Sequence, residues 1–310
     1  MSAMGHLIAK VLSTAIALLL VAGCTGHRIV PDVQVVESSG ALQNNFCTPQ
    51  QGVPSVYRKK VAVLATELLT PQNANDLPGL SVAWSERLQQ RLGESGHLLV
   101  TSASGQRLHS GERQQEWIVS LAKRLEVQFI VVVRFQNLHA VRNQFGVGNY
   151  AVASRWMKRQ IDAELMIFDG VYGHQIASIN HGALAEGSES EVFNTARIPL
   201  LRGPFLDTPL GSALAAILNA EVESGLKQLA CLPMVARVAK IVGDNIYMNT
   251  NVTALVRPGD TLQLFRLSGQ TERHLGAVEI LKVFPESAVG IYKGEGGIPT
   301  FSEGLRVREW

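Results

Sequence analysis

Two stretches of this sequence leave little freedom in how the chain can fold. Lys60-Val61-Ala62-Val63-Leu64-Ala65 and Gln128-Phe129-Ile130-Val131-Val132-Val133-Arg134-Phe135 are strand-length runs with almost no polar residue inside them. A strand with one face in water alternates apolar and polar residues, whereas a run that is apolar throughout suits a strand buried on both faces. Both runs therefore point to a sheet covered by helices on either side. The intervening chain supplies them. After a loop with Pro71, Asn73, Asn75, Pro78 and Gly79, residues 81–94 read as a helix with Ser81 as N-cap and Trp84, Leu88 and Leu92 on one side. His97-Leu98-Leu99-Val100 reads as a strand, and residues 111–125 as a second helix with Ile118, Leu121, Ala122 and Leu125 facing inward. The result is a β-α-β-α-β order with short connections, the pattern of an α/β layer.

Beyond Phe135 the pattern changes. Residues 149–157 and 159–169 read as strands; in the second, Ile161, Ala163, Leu165 and Ile167 alternate with Asp162, Glu164 and Met166. A turn at Asp169-Gly170 leads to a further strand over 175–184, so antiparallel strands extend the sheet. Residues 188–202 carry no regular pattern. Thr208-Pro209 then opens an amphipathic helix, threonine as cap and proline at the first helical position, with Leu210, Leu214, Ile217, Leu218, Val222, Leu226 and Leu229 on one face. From Met234 onward only strands and turns are visible: 234–242, 245–249, 261–267, 274–284, 287–292 and 305–308. Short strands so spaced close into a small barrel. The expected fold class is an α/β sheet flanked by helices, followed by a small all-β, barrel-like domain.

The amino terminus has the layout of a secretory signal peptide, with an apolar stretch over 11–21 that is too short for a permanent span. Val21-Ala22-Gly23 followed by Cys24 resembles the bacterial lipobox, which implies that Cys24 is lipidated and begins the mature protein. Thr25 stands where an aspartate would favour the inner membrane, so the expected location is the periplasmic face of the outer membrane. The alternatives are a plain signal peptide with a cysteine near its cut site and an inner-membrane anchor. The expected division is 1–23 signal peptide, 24–55 tether, 56–231 α/β domain and 232–310 β domain. With Cys24 acylated, Cys47 and Cys231 remain, and in an oxidising compartment a disulfide between them is expected, with two separately buried thiols as the alternative.

The formal charge of +2 and the lack of a long basic tract argue against nucleic acid or anionic lipid as the main partner. Arg58-Lys59-Lys60 reads as a solvated strand end. No His-Glu-x-x-His pattern, Cys/His zinc spacing, phosphate loop or Gly-x-Ser-x-Gly occurs, and Gly146-Val147-Gly148 lacks the context of a dinucleotide loop. His97, His139, His174 and His181 read as surface residues. Asp162 and Glu164 share a strand face and could act as an acid/base pair, but an exposed polar face accounts for them. The reading is non-enzymatic, with no cofactor and no metal. Phe145 and Tyr150, in a glycine-containing loop, and Phe205, in an irregular proline-containing segment, are the candidate interface anchors.

Taken together the two blocks resemble the flagellar assembly protein T family. The strand 60–65, the helix 81–94, the strand 129–135 and the helix 210–229 resemble that family's middle domain, whose fold is shared with the amino-terminal domain of TolB. Val238-Ala239-Lys240-Ile241-Val242-Gly243-Asp244-Asn245-Ile246, Val256-Arg257-Pro258-Gly259-Asp260-Thr261-Leu262 and Gly276-Ala277-Val278 resemble its small carboxy-terminal β domain. The resemblance implies a non-enzymatic outer-membrane lipoprotein that contributes to flagellar basal-body assembly of the H-ring type. Its implied partners are basal-body ring proteins, other copies of itself in a ring, and the membrane through its lipid, with no nucleic acid. The alternative is an envelope lipoprotein of TolB or curli type, a cell-wall-synthase regulator or secretion component. In a secretion channel the strands 155–169 and 174–184 would span the membrane, with Arg159, Asp162 and Glu164 facing the lumen.

Overall fold

The computed structural model describes residues 56–142, 156–230, 232–269, 271–294, 297 and 302–309. Cys24, Cys47, Cys231, Phe145 and Tyr150 lie outside these residues, as do the tether and all but the last two residues of the predicted strand over 149–157.

The first apolar run forms β1 (Lys59–Leu64), followed by the two-residue β2 (Glu67–Leu68) and helix α1 (Leu80–Glu94). Then come β3 (Leu98–Ala103), α2 (Gln114–Leu125) and the second apolar run, β4 (Phe129–Asn137), with the short β5 (Ala140–Arg142) behind it. The long antiparallel strands are β6 (Trp156–Asp169) and β7 (Gln175–Ser188). A single helical turn, α3 (Glu189–Val192), and a 3-10 turn at Gly203–Asp207 lead to the long helix α4 (Pro209–Ala230).

These strands make one seven-stranded sheet in the order β3-β1-β4-β6, with β2 alongside β4, and β5 and β7 alongside β6. β1 runs parallel to β3 and β4, and pairing becomes antiparallel from β4 onward. The register sets Val61 beside Phe129 and Val131 beside Ile167, so that apolar residues share a face across neighbouring strands. One face, with Val61, Val63, Phe129, Val131, Val133, Ile161, Leu165 and Ile167, is buried under α1 and α4. The other, with Ala62, Leu64, Ile130, Val132, Met166 and Phe168, is buried under α2. Two-sided burial of β1 and β4 is what their uninterrupted apolar runs require.

The helix starts hold two corrections and one agreement. Gly79, not Ser81, occupies the N-cap of α1, with φ of 81° in the left-handed region that favours glycine. The Ser81 hydroxyl instead donates to the Thr66 carbonyl. At α4 the Thr208 hydroxyl accepts a hydrogen bond from the Gly211 N–H at 3.0 Å, the expected cap. The segment expected to be irregular contains α3, whose capping box joins Ser188 and Glu191 in both directions. Glu191 is held below the usual carboxylate range by these hydrogen bonds.

Phe205, expected as an interface anchor, is a core residue at 1 % exposure. The first turn of α4 lies directly on the 3-10 turn that carries it: a Cβ on Gly211 would stand 1.8 Å from the Phe205 carbonyl oxygen. Arg159, expected on a channel lumen, is buried and ion-paired to Asp76. The apolar faces of β6 and β7 are covered by α4 and belong to the main core.

The carboxy-terminal strands are β8 (Val235–Val242), β9 (Asn245–Met248), β10 (Thr261–Ser268), β11 (Thr271–Val283), β12 (Ala288–Lys293) and β13 (Leu305–Arg308). They close into a barrel in the order β10-β11-β12-β9-β8-β13, every neighbouring pair antiparallel. Ile246, Met248, Leu262, Leu264, Val278, Ile280 and Val307 fill it, so the barrel is a packed core rather than a pore. Sheet and barrel fall within one structural unit. Among the described residues no helix is long and apolar enough to cross a membrane.

Candidate functional site

The barrel sits at the end of the sheet where β1, β3 and β4 begin, and the contact is built from hydrogen bonds as well as apolar packing. Gln128, just before β4, is its centre. Its N–H donates to the Lys60 carbonyl at 2.8 Å and its carbonyl accepts from the Gly170 N–H at 2.7 Å, both within the sheet domain. Its side chain reaches the barrel domain, Nε2 donating to the Pro233 carbonyl at 2.8 Å and Oε1 accepting from the Val235 N–H at 3.0 Å. A buried amide with both ends satisfied by backbone holds the two parts in one orientation. On the far side, the Tyr172 hydroxyl donates to Glu272, which also accepts from Arg308 at 2.6 Å. Burial, with the Glu272 contact, raises the Tyr172 phenol well above its ordinary range.

Arg58-Lys59-Lys60 is not a solvated strand end. Lys59 is 3 % exposed, because the barrel and the end of α4 cover the mouth of β1. Its ammonium donates to the Ala230 carbonyl at 3.4 Å, where the helix end presents unpaired carbonyls. Burial lowers its pKa to about 8, against the opposing charge of Glu309.

Beside this junction lies a cleft of about 50 Å³ lined by Arg58, Lys60, Lys123, Arg237 and Arg306, with Glu126 the one carboxylate on its wall among the described residues. Arg58 precedes β1 and the other cations come from β1, α2, β8 and β13, so only the assembled fold brings them together. Lys60 Nζ donates to the Asn249 carbonyl at 3.0 Å, and the Arg237 N–H donates to Asn249 Oδ1 at 2.6 Å. Among the described residues none of the five makes an ion pair with a carboxylate. The Arg306 guanidinium is pulled below its usual range, first by burial and then by the charge of Arg237. Thr250, also on the wall, is 2 % exposed, and its hydroxyl has no hydrogen-bond partner among the described residues. Gly170 forms part of the floor, where a Cβ would come within 2.6 Å of Ala122 Cβ and 2.7 Å of the Gln128 carbonyl oxygen. Only glycine lets the β6–β7 turn approach this closely.

Two further polar sites are structural. Arg159 grips Asp76 through two nitrogens at 2.8 and 2.6 Å and also donates to the Asn73 carbonyl at 3.0 Å. Its guanidinium lies 4.9 Å from the centre of the Phe193 ring. It thereby ties β6 to the loop before α1 and to the segment after α3. On α4, Glu221 is fully buried and accepts from Trp84 Nε1 at 2.9 Å, while burial pushes its pKa up to about 8.

The residues considered for chemistry do not gather. Asp162 accepts from Asn137 at 3.2 Å and Gln160 at 2.8 Å, and Glu164 accepts from Ser178 and Gln136, so both belong to polar ladders on the outer face of the sheet. His97, His139 and His174 are exposed as expected, but His181 is buried beside Ala163 on the helix-covered face. Among the described residues no three His, Cys, Asp or Glu side chains are grouped to hold a metal ion. The cleft supplies cationic and hydroxyl donors, which can hold an anion.

Residues 50–188 match the family described as flagellar assembly protein T, middle domain. No match was found among curated proteins. Solved structures with a similar chain path include the hypothetical protein CT253 from Chlamydia trachomatis, 19% identical, covering 56% of this chain and 98% of that one, with a TM-score of 0.39. A PelC dodecamer from Paraburkholderia phytofirmans is 13% identical over 57% of this chain and 92% of that one, with a TM-score of 0.30. A minor lipoprotein from Acinetobacter baumannii is 11% identical over 56% and 92%, with a TM-score of 0.25.

Proposed function

We propose that this chain, whose residues 50–188 match the middle domain of flagellar assembly protein T, is a non-enzymatic lipoprotein of the periplasmic face of the outer membrane that helps build or brace the flagellar basal body. The family match is the observation that carries the reading. Val21-Ala22-Gly23-Cys24 supplies the anchor, with Cys24 as the lipidated residue. The union of sheet and barrel through Gln128 suits a brace, since it fixes two surfaces at a constant angle. Partners in this reading are basal-body ring proteins and further copies of the chain. A Cys47–Cys231 disulfide would tie the residue after α4 to the tether.

Deleting the gene tests the reading, with swimming scored in soft agar and rings counted in isolated basal bodies by electron microscopy. Loss of swimming with defective outer rings is the expected result, and a Cys24→Ala allele should reproduce it in part by releasing the protein from the membrane. Normal swimming with intact rings in the deletion strain would overturn it.

A further inference from the structure

The cleft between sheet and barrel concentrates charge that the rest of the chain does not share. Five cationic side chains face one carboxylate there, while the whole sequence carries a formal charge of only +2. Like charges gathered at one site repel, and carbonyl contacts to Lys60 do not neutralise that repulsion. Thr250 adds a second, independent sign. A buried hydroxyl without a partner costs stability, and this one belongs to a residue that lines the same cleft.

We propose that this cleft is a binding site for a phosphate-type oxyanion, either free or as a terminal phosphomonoester. Its volume of about 50 Å³ is several times the ~10–15 Å³ that one water needs, enough for a small group and too little for an extended ligand. Three arginines and two lysines outnumber what one carboxylate would neutralise, whereas a doubly charged tetrahedral oxyanion can accept from several forks at once. The Thr250 hydroxyl is then a donor to the anion. The site joins Lys60 and Lys123 of the sheet domain to Arg237 and Arg306 of the barrel, so an occupant fastens the two parts together. The charge of the cleft does not depend on where in the cell the protein works.

Isothermal titration of the mature chain with inorganic phosphate, with sodium chloride at matched ionic strength as the control, tests the site. One phosphate should bind per chain, raise the thermal midpoint above the chloride control and weaken as salt rises. Arg237→Gln combined with Arg306→Gln should lower the affinity at least tenfold, and Lys123→Gln, at an exposed position, should lower it without endangering the fold. Thr250→Val should weaken binding several-fold while leaving the unliganded midpoint unchanged or higher, because its hydroxyl bonds nothing in the empty cleft. Glycerol 3-phosphate binding more tightly than phosphate would assign the site to an esterified phosphate, and the reverse order to the free ion. Absence of one-to-one binding at millimolar phosphate, equal binding by the double variant, or acetate binding as tightly as phosphate would each overturn the proposal.

Discussion

Glu221 offers the sharpest test of how the sheet and its helices are packed. It lies on the buried face of α4, fully enclosed, with one oxygen bonded to Trp84 Nε1 at 2.9 Å and the other without a hydrogen-bond partner among the described residues. Trp84 in turn meets Phe135 edge-on, ring centres 4.8 Å apart. Burial raises the carboxyl from its ordinary 4.5 to about 8, so the native protein holds it protonated at neutral pH. Between those two values the native state carries one proton more than the unfolded chain. Stability must therefore fall as pH rises through that window, by ~1.4 kcal/mol per unit, and level off outside it. Over the window from 4.5 to about 8 the loss amounts to about 5 kcal/mol. Glu221→Gln keeps an acceptor for Trp84 and removes the titration. Urea unfolding followed by circular dichroism at pH 5, 6, 7 and 8 should give similar stabilities for the two proteins at the acid end. The variant should gain steadily on the wild type towards pH 8, a midpoint difference growing by ~0.5 M urea per pH unit at an m of ~2–3 kcal/mol/M. A difference that stays constant across the series would refute the buried, protonated carboxyl and with it the tight seam between α1 and α4.

Other consequences are equally direct. Arg159→Met breaks both bonds to Asp76 and should destabilise by about 3 kcal/mol in the same assay, with Asp76→Asn added to it restoring part of the loss. Gly211→Ala places a methyl group 1.8 Å from the Phe205 carbonyl and should cost about 3 kcal/mol by shifting the start of α4. Cys47→Ser or Cys231→Ser should abolish any difference between reducing and non-reducing gel mobility and lower stability by about 4 kcal/mol; identical mobility of the unmodified protein under both conditions would rule the disulfide out.

The parts of the fold that follow from local pattern are legible in the sequence. Residues 60–65 read as a strand buried on both sides, and all but the last lie in β1 between two helical layers. Thr208-Pro209 announced α4 because cap and proline act within a single turn. What escaped depends on contacts between distant segments. Phe205 looked like a loop aromatic because nothing nearby shows that α4 would rest on its backbone. Lys59 looked solvated because the barrel that covers it begins more than 170 residues later in the sequence. The cations of the cleft stand at positions 58, 60, 123, 237 and 306 and form no pattern along the chain. Glu221 did leave a trace. The series Leu214, Leu218, Glu221, Gly225 follows the helical repeat of the apolar face, and a carboxylate in that series marks a buried one.

The measurement that bears most directly on the role assigned to this chain is its presence in purified hook–basal bodies, quantified by immunoblot against a known ring protein. A flagellar brace should copurify with basal bodies at a fixed ratio to that ring protein, while its lipid keeps it in the envelope fraction of a strain unable to assemble them. Recovery in the envelope with none in purified hook–basal bodies would contradict the flagellar role.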